Sequence, residues 1–269
     1  MKLSIITICY NQPDIEETCE AIVNQSFQDF EWIVVDGGST DDTVKKLEKY
    51  KSRINVLISE KDEGRYDAMN KGIKLAKGEW LTFVNGGDRP AENAYQKLFE
   101  NKDYDADILY CYLNMQRVSG EQVLCTFPQV IDKEYLLNNS IGHPSSFIRR
   151  ELFDKYGLYE KQYQCISDWG KWICFFVNGC KFELVPEVAA IYKDDGITFS
   201  VSKKVQEQNL NDRKEIVSKY YQDSELKNLV PYEKTRFRLL GFIPFIKIFK
   251  YLNKTKFFLF EIPLLTVKK

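Results

Sequence analysis

The strongest constraint in this chain is a repeated pattern rather than a repeated sequence. Through the first hundred positions, short β-branched runs alternate with segments whose apolar residues recur at helical spacing. Strands joined through helices lie parallel, because each helix carries the chain back along the sheet, and the product is a layered α/β domain. The spacing predicts strands near 3–9, 31–35, 54–58 and 80–84, with helices near 14–25, 41–50 and 67–76 and Gly78 as a stop signal behind the last.

The order changes near residue 105. Asp107 to Tyr112 and Gln122 to Phe127 read as strands on either side of a Ser-Gly turn, which makes the sheet mixed. Trp169, Trp172, Ile173, Phe176 and Val177 share a helical face over 168–178, with Ser167 or Asp168 as the cap. Residues 201–222 are charged with a weak apolar stripe and read as a surface helix or helical linker. Beyond them, Leu240 to Ile248 and Leu259 to Val267 form a degenerate repeat around Pro244 and Pro263, flanked by Lys and Arg, in a basic-aromatic tail. The expected division is one α/β domain over 1–200, changing character at 104/105, followed by a helical extension and tail over 201–269.

Composition narrows the function classes. With 44% of 269 residues apolar, the chain can bury one large core with an appendage. The 38 basic and 39 acidic side chains leave a formal charge of −1, so no chain-wide positive field draws nucleic acid, and it is disfavoured as a partner. The cysteines at 9, 19, 111, 125, 165, 174 and 180 are odd in number and form no C-x-x-C pair. They indicate a reducing, cytoplasmic setting and neither a disulfide framework nor a zinc knuckle. The opening run is too short and too soon polar for a signal peptide, and no stretch reaches the ~18 to 20 apolar residues of a membrane span.

In open α/β sheets, ligands bind beyond the carboxyl ends of the strands. Thr7, Tyr10 and Asn11 follow the first strand, with Tyr10 able to stack on a base. The second ends in Val35-Asp36-Gly-Gly-Ser-Thr-Asp-Asp-Thr43, where Asp36 can accept a hydrogen bond from a pyrimidine or ribose, and Ser39, Asp41 and Asp42 read as helix caps. The third leads into Ser59-Glu-Lys-Asp-Glu-Gly-Arg-Tyr-Asp-Ala-Met-Asn-Lys-Gly72. A charged loop of this kind is commonly solvated surface, yet at this edge Asp62 can meet a base and Arg65 a phosphate. The fourth ends in Leu81-Thr-Phe-Val-Asn-Gly-Gly-Asp88, and its last carboxylate is suited either to Mg²⁺ or Mn²⁺ on a diphosphate or to an Asx turn. No G-x-G-x-x-G follows the first strand, which disfavours a nicotinamide oxidoreductase.

Taken in order, S-I-I-T-I-C-Y-N, V-V-D-G-G-S-T-D-D-T, E-K-D-E-G-R-Y-D-A-M-N-K-G, G-E-W-L-T-F-V-N-G-G-D and S-D-W resemble the family 2 glycosyltransferases over about residues 1 to 195. The third run looks most like the branch that builds bacterial surface polysaccharides of the colanic-acid type. The resemblance implies a GT-A fold: a mixed, mainly parallel Rossmann-like sheet flanked by helices, with a C-terminal helical and basic-aromatic extension. It implies inverting transfer from a nucleotide diphosphate sugar, UDP foremost, to a hydroxyl of a glycan or lipid-linked glycan. By position it places Thr7, Tyr10, Asp36 and Asp62 on the base. With Asn11, Arg65, Asn70, Asn85 and Asp88 these complete the expected donor site, with Asp88 on a divalent cation and Asp168 as the catalytic base. Two positions depart from the family: Gly37 stands where a second Asp is usual, and Gly86, preceded by Asn85, where D-x-D has its first Asp.

From the residues alone, Asp168 reads as a helix cap or as a base, and the resemblance favours the base. The single histidine, His143, excludes a multi-histidine zinc site and reads either as a turn residue or as a contact to acceptor or diphosphate. Arg149 and Arg150 read as exposed. In the tail, Leu239 to Leu252 with Arg238, Lys247 and Lys250 either meets a lipid headgroup layer, giving a peripheral enzyme on the cytoplasmic membrane face, or packs back on the domain. A nucleotidyltransferase and a noncatalytic nucleotide-sugar binding module are the competing functions.

Overall fold

The computed structural model describes residues 1–117, 119–193 and 203–221, and the backbone of four further strands between 233 and 268. Its first third follows the predicted alternation: β1 (Leu3–Cys9), α1 (Ile15–Val23), β2 (Phe30–Asp36), α2 (Thr43–Glu48), β3 (Val56–Ser59), α3 (Arg65–Leu75) and β4 (Trp80–Phe83). β1 is buried along its whole length, as a near-continuous apolar run between two helical layers must be. α1 buries Ile15, Thr18, Cys19 and Ile22, spaced three or four apart, so one stripe faces the sheet. α3 ends at Leu75, ahead of Gly78. A Cβ at Gly78 would lie 2.5 Å from the Ser4 backbone nitrogen, so this glycine serves the close approach of two backbones rather than the helix stop.

The second half contributes β5 (Arg89–Pro90), α4 (Ala94–Phe99), β6 (Ile108–Gln116), β7 (Gln122–Cys125), α5 (Lys133–Asn138), β8 (Ser146–Arg149), α6 (Glu151–Tyr156), α7 (Ser167–Val177) and β9 (Phe182–Lys193). The sheet runs β3-β2-β1-β4-β8-β6-β9-β5, with β7 on β6. β1, β2, β3 and β4 are parallel; β8 runs antiparallel to both β4 and β6, which makes the sheet mixed as expected. One hydrophobic layer fills the α3 side, with Ile6, Phe83 and Trp172, and another the α1 side, with Ile5, Trp32 and Trp80.

Two expected donor contacts belong to this framework. Thr7 is fully buried, and its hydroxyl accepts the Trp32 indole N–H at 2.9 Å. A buried indole N–H usually finds an acceptor, and alternation along β1 points Thr7 into the same layer as Trp32. Asn70 is buried on α3, where its amide donates to the Tyr159 carbonyl at 2.8 Å and accepts the Tyr159 N–H at 3.0 Å. Both of its polar atoms are consumed in bracing α3 against the segment that leads into α7.

The helix predicted over 201–222 is α8 (Lys203–Tyr220). Ile216 and Val217 join Leu137, Tyr163, Trp169 and Ile173 in a third apolar cluster. Arg213 covers the Trp169 ring at 4.5 Å and donates to the Leu137 carbonyl. The boundary expected after residue 200 therefore precedes a helix docked on α7. Beyond it the described residues are strands: β10 (Glu233–Leu239), β11 (Ile243–Lys250), β12 (Lys254–Leu259) and β13 (Ile262–Lys268) form an antiparallel meander. Pro244 and Pro263 explain the change, since each forbids a helix interior, and a register shift falls beside each of them. The tail side chains expected to meet lipid lie outside the described residues. No helix among the described residues is long and apolar enough to cross a membrane.

Replacing Asn70 by Ala leaves the Tyr159 N–H and C=O unpaired in a buried seam. Urea titration is expected to show a loss of about 2–4 kcal/mol with an unchanged m-value.

Candidate active site

Parallel register aligns the strand ends. Cys9 pairs with Asp36 across β1 and β2, and Asp36 with Ser59 across β2 and β3, so three polar side chains stand in one row at the carboxyl edge. Asp36 is fully enclosed there. One oxygen accepts the N–H groups of Gly38 (3.1 Å) and Ser39 (2.9 Å) and the Ser59 hydroxyl (2.7 Å); the other accepts the Ser39 hydroxyl and, at 3.7 Å, the Cys9 thiol. Burial, reinforced by that carboxylate, pushes the Cys9 thiol up, so it stays protonated and donates. Five donors consume its oxygens, and it shapes the loop after β2 instead of offering an exposed atom to base or ribose.

The surrounding loops are tied to that turn. Asn11, with φ of 46°, donates its N–H to the Ser39 hydroxyl at 2.7 Å and accepts the Thr40 N–H at 2.8 Å. Ser39 is thus a loop bridge, while Asp41 accepts the Thr43 N–H at 2.9 Å and supplies the capping contact at α2. Tyr10, 59% exposed, presents its ring at the edge. Asp62 is half-buried and holds the Gly64 N–H at 2.9 Å with one oxygen. A Cβ at Gly37 would lie 2.5 Å from the other oxygen, so the missing family Asp at 37 is replaced in space by Asp62. Arg65 opens α3 and makes no hydrogen bond or ion pair among the described residues, although its charge is felt at Tyr66, His143 and Cys165. The composition of its loop gave no hint of that placement.

Asp88 lies buried in the turn between β4 and β5. Its carboxylate accepts the Lys193 N–H at 3.2 Å and the Asn85 amide at 3.3 Å. The Asn85 side-chain oxygen is buried without a hydrogen-bond partner. Gly86 cannot carry the absent carboxylate, because a Cβ there would sit 2.9 Å from the Gln12 Cγ and 3.1 Å from the Cys9 Cβ. Gln12, which the sequence reading overlooked, lies over this glycine turn. Among the described residues, no three His, Cys, Asp or Glu are placed to hold a metal. A carboxylate beside an orphan amide oxygen suits a hard cation that takes its remaining ligands from phosphate and water.

On the acceptor side, Asp168 stands in the first turn of α7, half-exposed. The helix N-cap is Ile166 and no side chain caps it, so neither Ser167 nor Asp168 has the capping role. Asp168 instead accepts the Tyr66 hydroxyl at 2.7 Å. Tyr66 packs on Tyr159 with ring centroids 5.5 Å apart, and the Tyr159 hydroxyl meets His143 Nε2 at 2.9 Å. His143 is buried and stacked on Phe83 at 4.8 Å; burial lowers its pKa and holds it neutral. It opens a single 3-10 turn, His143–Ser145, and packs beneath the site. Arg149 covers the Trp80 ring at 4.1 Å and pairs with Glu79, and Arg150 pairs with Asp154.

The loops of Asp36 and Asp88 both abut Cys9, Asp62 faces the Asp36 turn, and the helix after Asp62 carries Tyr66 to Asp168. Known proteins resemble this chain in sequence and in fold. The glycosyl transferase family 2 model matches residues 4–157. A PGL/p-HBAD biosynthesis glycosyltransferase of Mycobacterium bovis is 31% identical over 183 residues, covering 65% of this chain and 70% of its own. An uncharacterized glycosyltransferase of Methanocaldococcus jannaschii is 23% identical over 204 residues, covering 71% and 70%. S. aureus TarS 1-349 in complex with UDP-GlcNAc superposes with a TM-score of 0.63 at 22% identity, covering 84% of this chain and 69% of that one. The mannosyltransferase PcManGT of Pyrobaculum calidifontis, with GDP-Man and Mn²⁺, gives 0.62 at 17%, covering 82% and 65%. With its strand-end loops and its mixed sheet of GT-A type, the chain belongs to glycosyl transferase family 2 and is a glycosyltransferase.

Proposed function

We propose that the chain is an inverting enzyme that takes a sugar from a nucleotide diphosphate, UDP foremost, and places it on a hydroxyl of a glycan or lipid-linked glycan in bacterial surface-polysaccharide synthesis. The observation that carries this reading is the Asp168 carboxylate: half-exposed, free of a capping role, and held, among the described residues, through one oxygen. In a single displacement, the acceptor oxygen forms its bond to the anomeric carbon as the bond to the diphosphate oxygen breaks. Asp168 takes the proton of the attacking hydroxyl. One base is sufficient, and no residue becomes covalently linked to the sugar.

Tyr10 and Asp62 are the groups placed to hold the base, and Arg65 to meet phosphate. Asp88 and the Asn85 amide oxygen would hold a divalent cation, Mn²⁺ or Mg²⁺, which when bound neutralises charge on the departing diphosphate. UDP-GlcNAc and Mn²⁺ in the superposable enzymes support a nucleotide-sugar donor and a cation of this kind. The basic-aromatic composition of the tail supports a peripheral site on the cytoplasmic membrane face.

Asp168→Asn is expected to bind UDP as the unchanged enzyme does while losing roughly 10²-fold or more of turnover; turnover at the original rate with its acceptor would remove the base assignment. Asp88→Ala should abolish the dependence of UDP-sugar turnover on added Mn²⁺, followed as rate against metal after chelation. Chromatography of the products should find nucleoside diphosphate, and release of pyrophosphate would mark a nucleotidyltransferase instead. In flotation with anionic vesicles, the full chain should rise with lipid and a chain lacking 236–269 should not; equal recovery would end the membrane assignment.

A further inference from the structure

We propose that Tyr66 is a positioning residue for the transfer step: its hydroxyl fixes Asp168 by one oxygen, leaving the other to face the attacking hydroxyl. This rests on the reading of Asp168 as the base. A carboxylate in the first turn of a helix has free backbone N–H groups beside it, and folding back to cap them is its ordinary fate. Here α7 has no side-chain cap, and the carboxylate is turned to α3 instead. The phenol holding it is 3% exposed, and a hydroxyl enclosed to that degree needs a partner. Asp168 at 2.7 Å is that partner.

The environment keeps the Tyr66 proton on the phenol, whose oxygen also meets the Asp168 backbone. Burial first, and the nearby Asp168 charge second, raise its pKa well above the ordinary phenol value, so it keeps its proton and cannot act as a rival base. Its ring is wedged against Tyr159, which Asn70 braces on the same helix. The hydroxyl therefore has little freedom to follow a drifting carboxylate. One residue earlier stands Arg65, and three before that Asp62, so one helix start carries two expected donor contacts and the latch on the base. A donor that orders this turn also orders Asp168.

The test is Tyr66→Phe, which keeps the ring and removes the bond. Turnover is read as UDP release from whichever UDP-sugar in a panel raises the melting temperature most. Water serves as acceptor if no glycan is supplied, since the base acts on either hydroxyl. Rates are divided by UDP-binding stoichiometry from calorimetry, so that misfolded protein cancels. The expected result is a kcat lower by roughly tenfold or more, with donor KM and UDP Kd within about twofold of the parent. A crystal structure of the variant should show Asp168 turned back onto the first N–H groups of α7. If Tyr66→Phe does not fold, Tyr66→Met provides an apolar replacement without a donor. Unchanged kcat in the folded variant, with Asp168→Asn inactive, overturns the positioning role alone. Full activity of Asp168→Asn sinks both it and the base assignment.

Discussion

Everything at the active edge depends on strands that run in phase. Because β1, β2 and β3 pair without a register shift, Cys9, Asp36 and Ser59 finish at one level, and their side chains bond to one another instead of to separate loops. Enclosing a carboxylate is costly unless its oxygens are filled, and Asp36 fills them with donors from three segments. The site is thus built on a charged knot whose own atoms are hidden. The residues left facing outward, Tyr10, Asp62 and Arg65, derive their placement from it.

The acceptor side is held by packing. α7 carries Asp168, and it is pressed from one side by the aromatic cluster around His143 and Phe83 and from the other by α8. Gly170 lets Ile216 approach closely, and Lys219 and Tyr163 bind Glu160 and Glu215 across the same seam. Helix α8 therefore supports the helix that carries Asp168 although it follows the sheet in sequence.

Much of this was legible in the residues, and the limits have physical causes. The βα alternation fixed β1 through β4 closely, because two-sided burial writes itself as an uninterrupted apolar run. The polar residues at strand ends stand at the edge where their spacing put them, but several bond to the protein itself. Position at the edge says nothing about which way a side chain turns. Thr7 faces inward by the parity of β1, and Asn70 faces a loop about ninety residues away whose approach no local pattern announces. Asp168 carried two readings, cap and base, since both favour a carboxylate at a helix start; its partner, Tyr66, is 102 residues distant. The tail reads as breakers for a helix at its prolines, but the meander of β10 to β13 depends on pairings between segments, which composition alone does not specify.

The contact between Gly37 and Asp62 bears on how such a pocket changes through descent. Asp62 keeps its place through the Gly64 N–H, and any side chain at 37 would collide with its second oxygen. A side chain at 37 would require the Asp62 carboxylate to swing aside, and a second carboxylate there would repel it. Positions 37 and 62 thus share one small volume, so a substitution at either is felt first at the other.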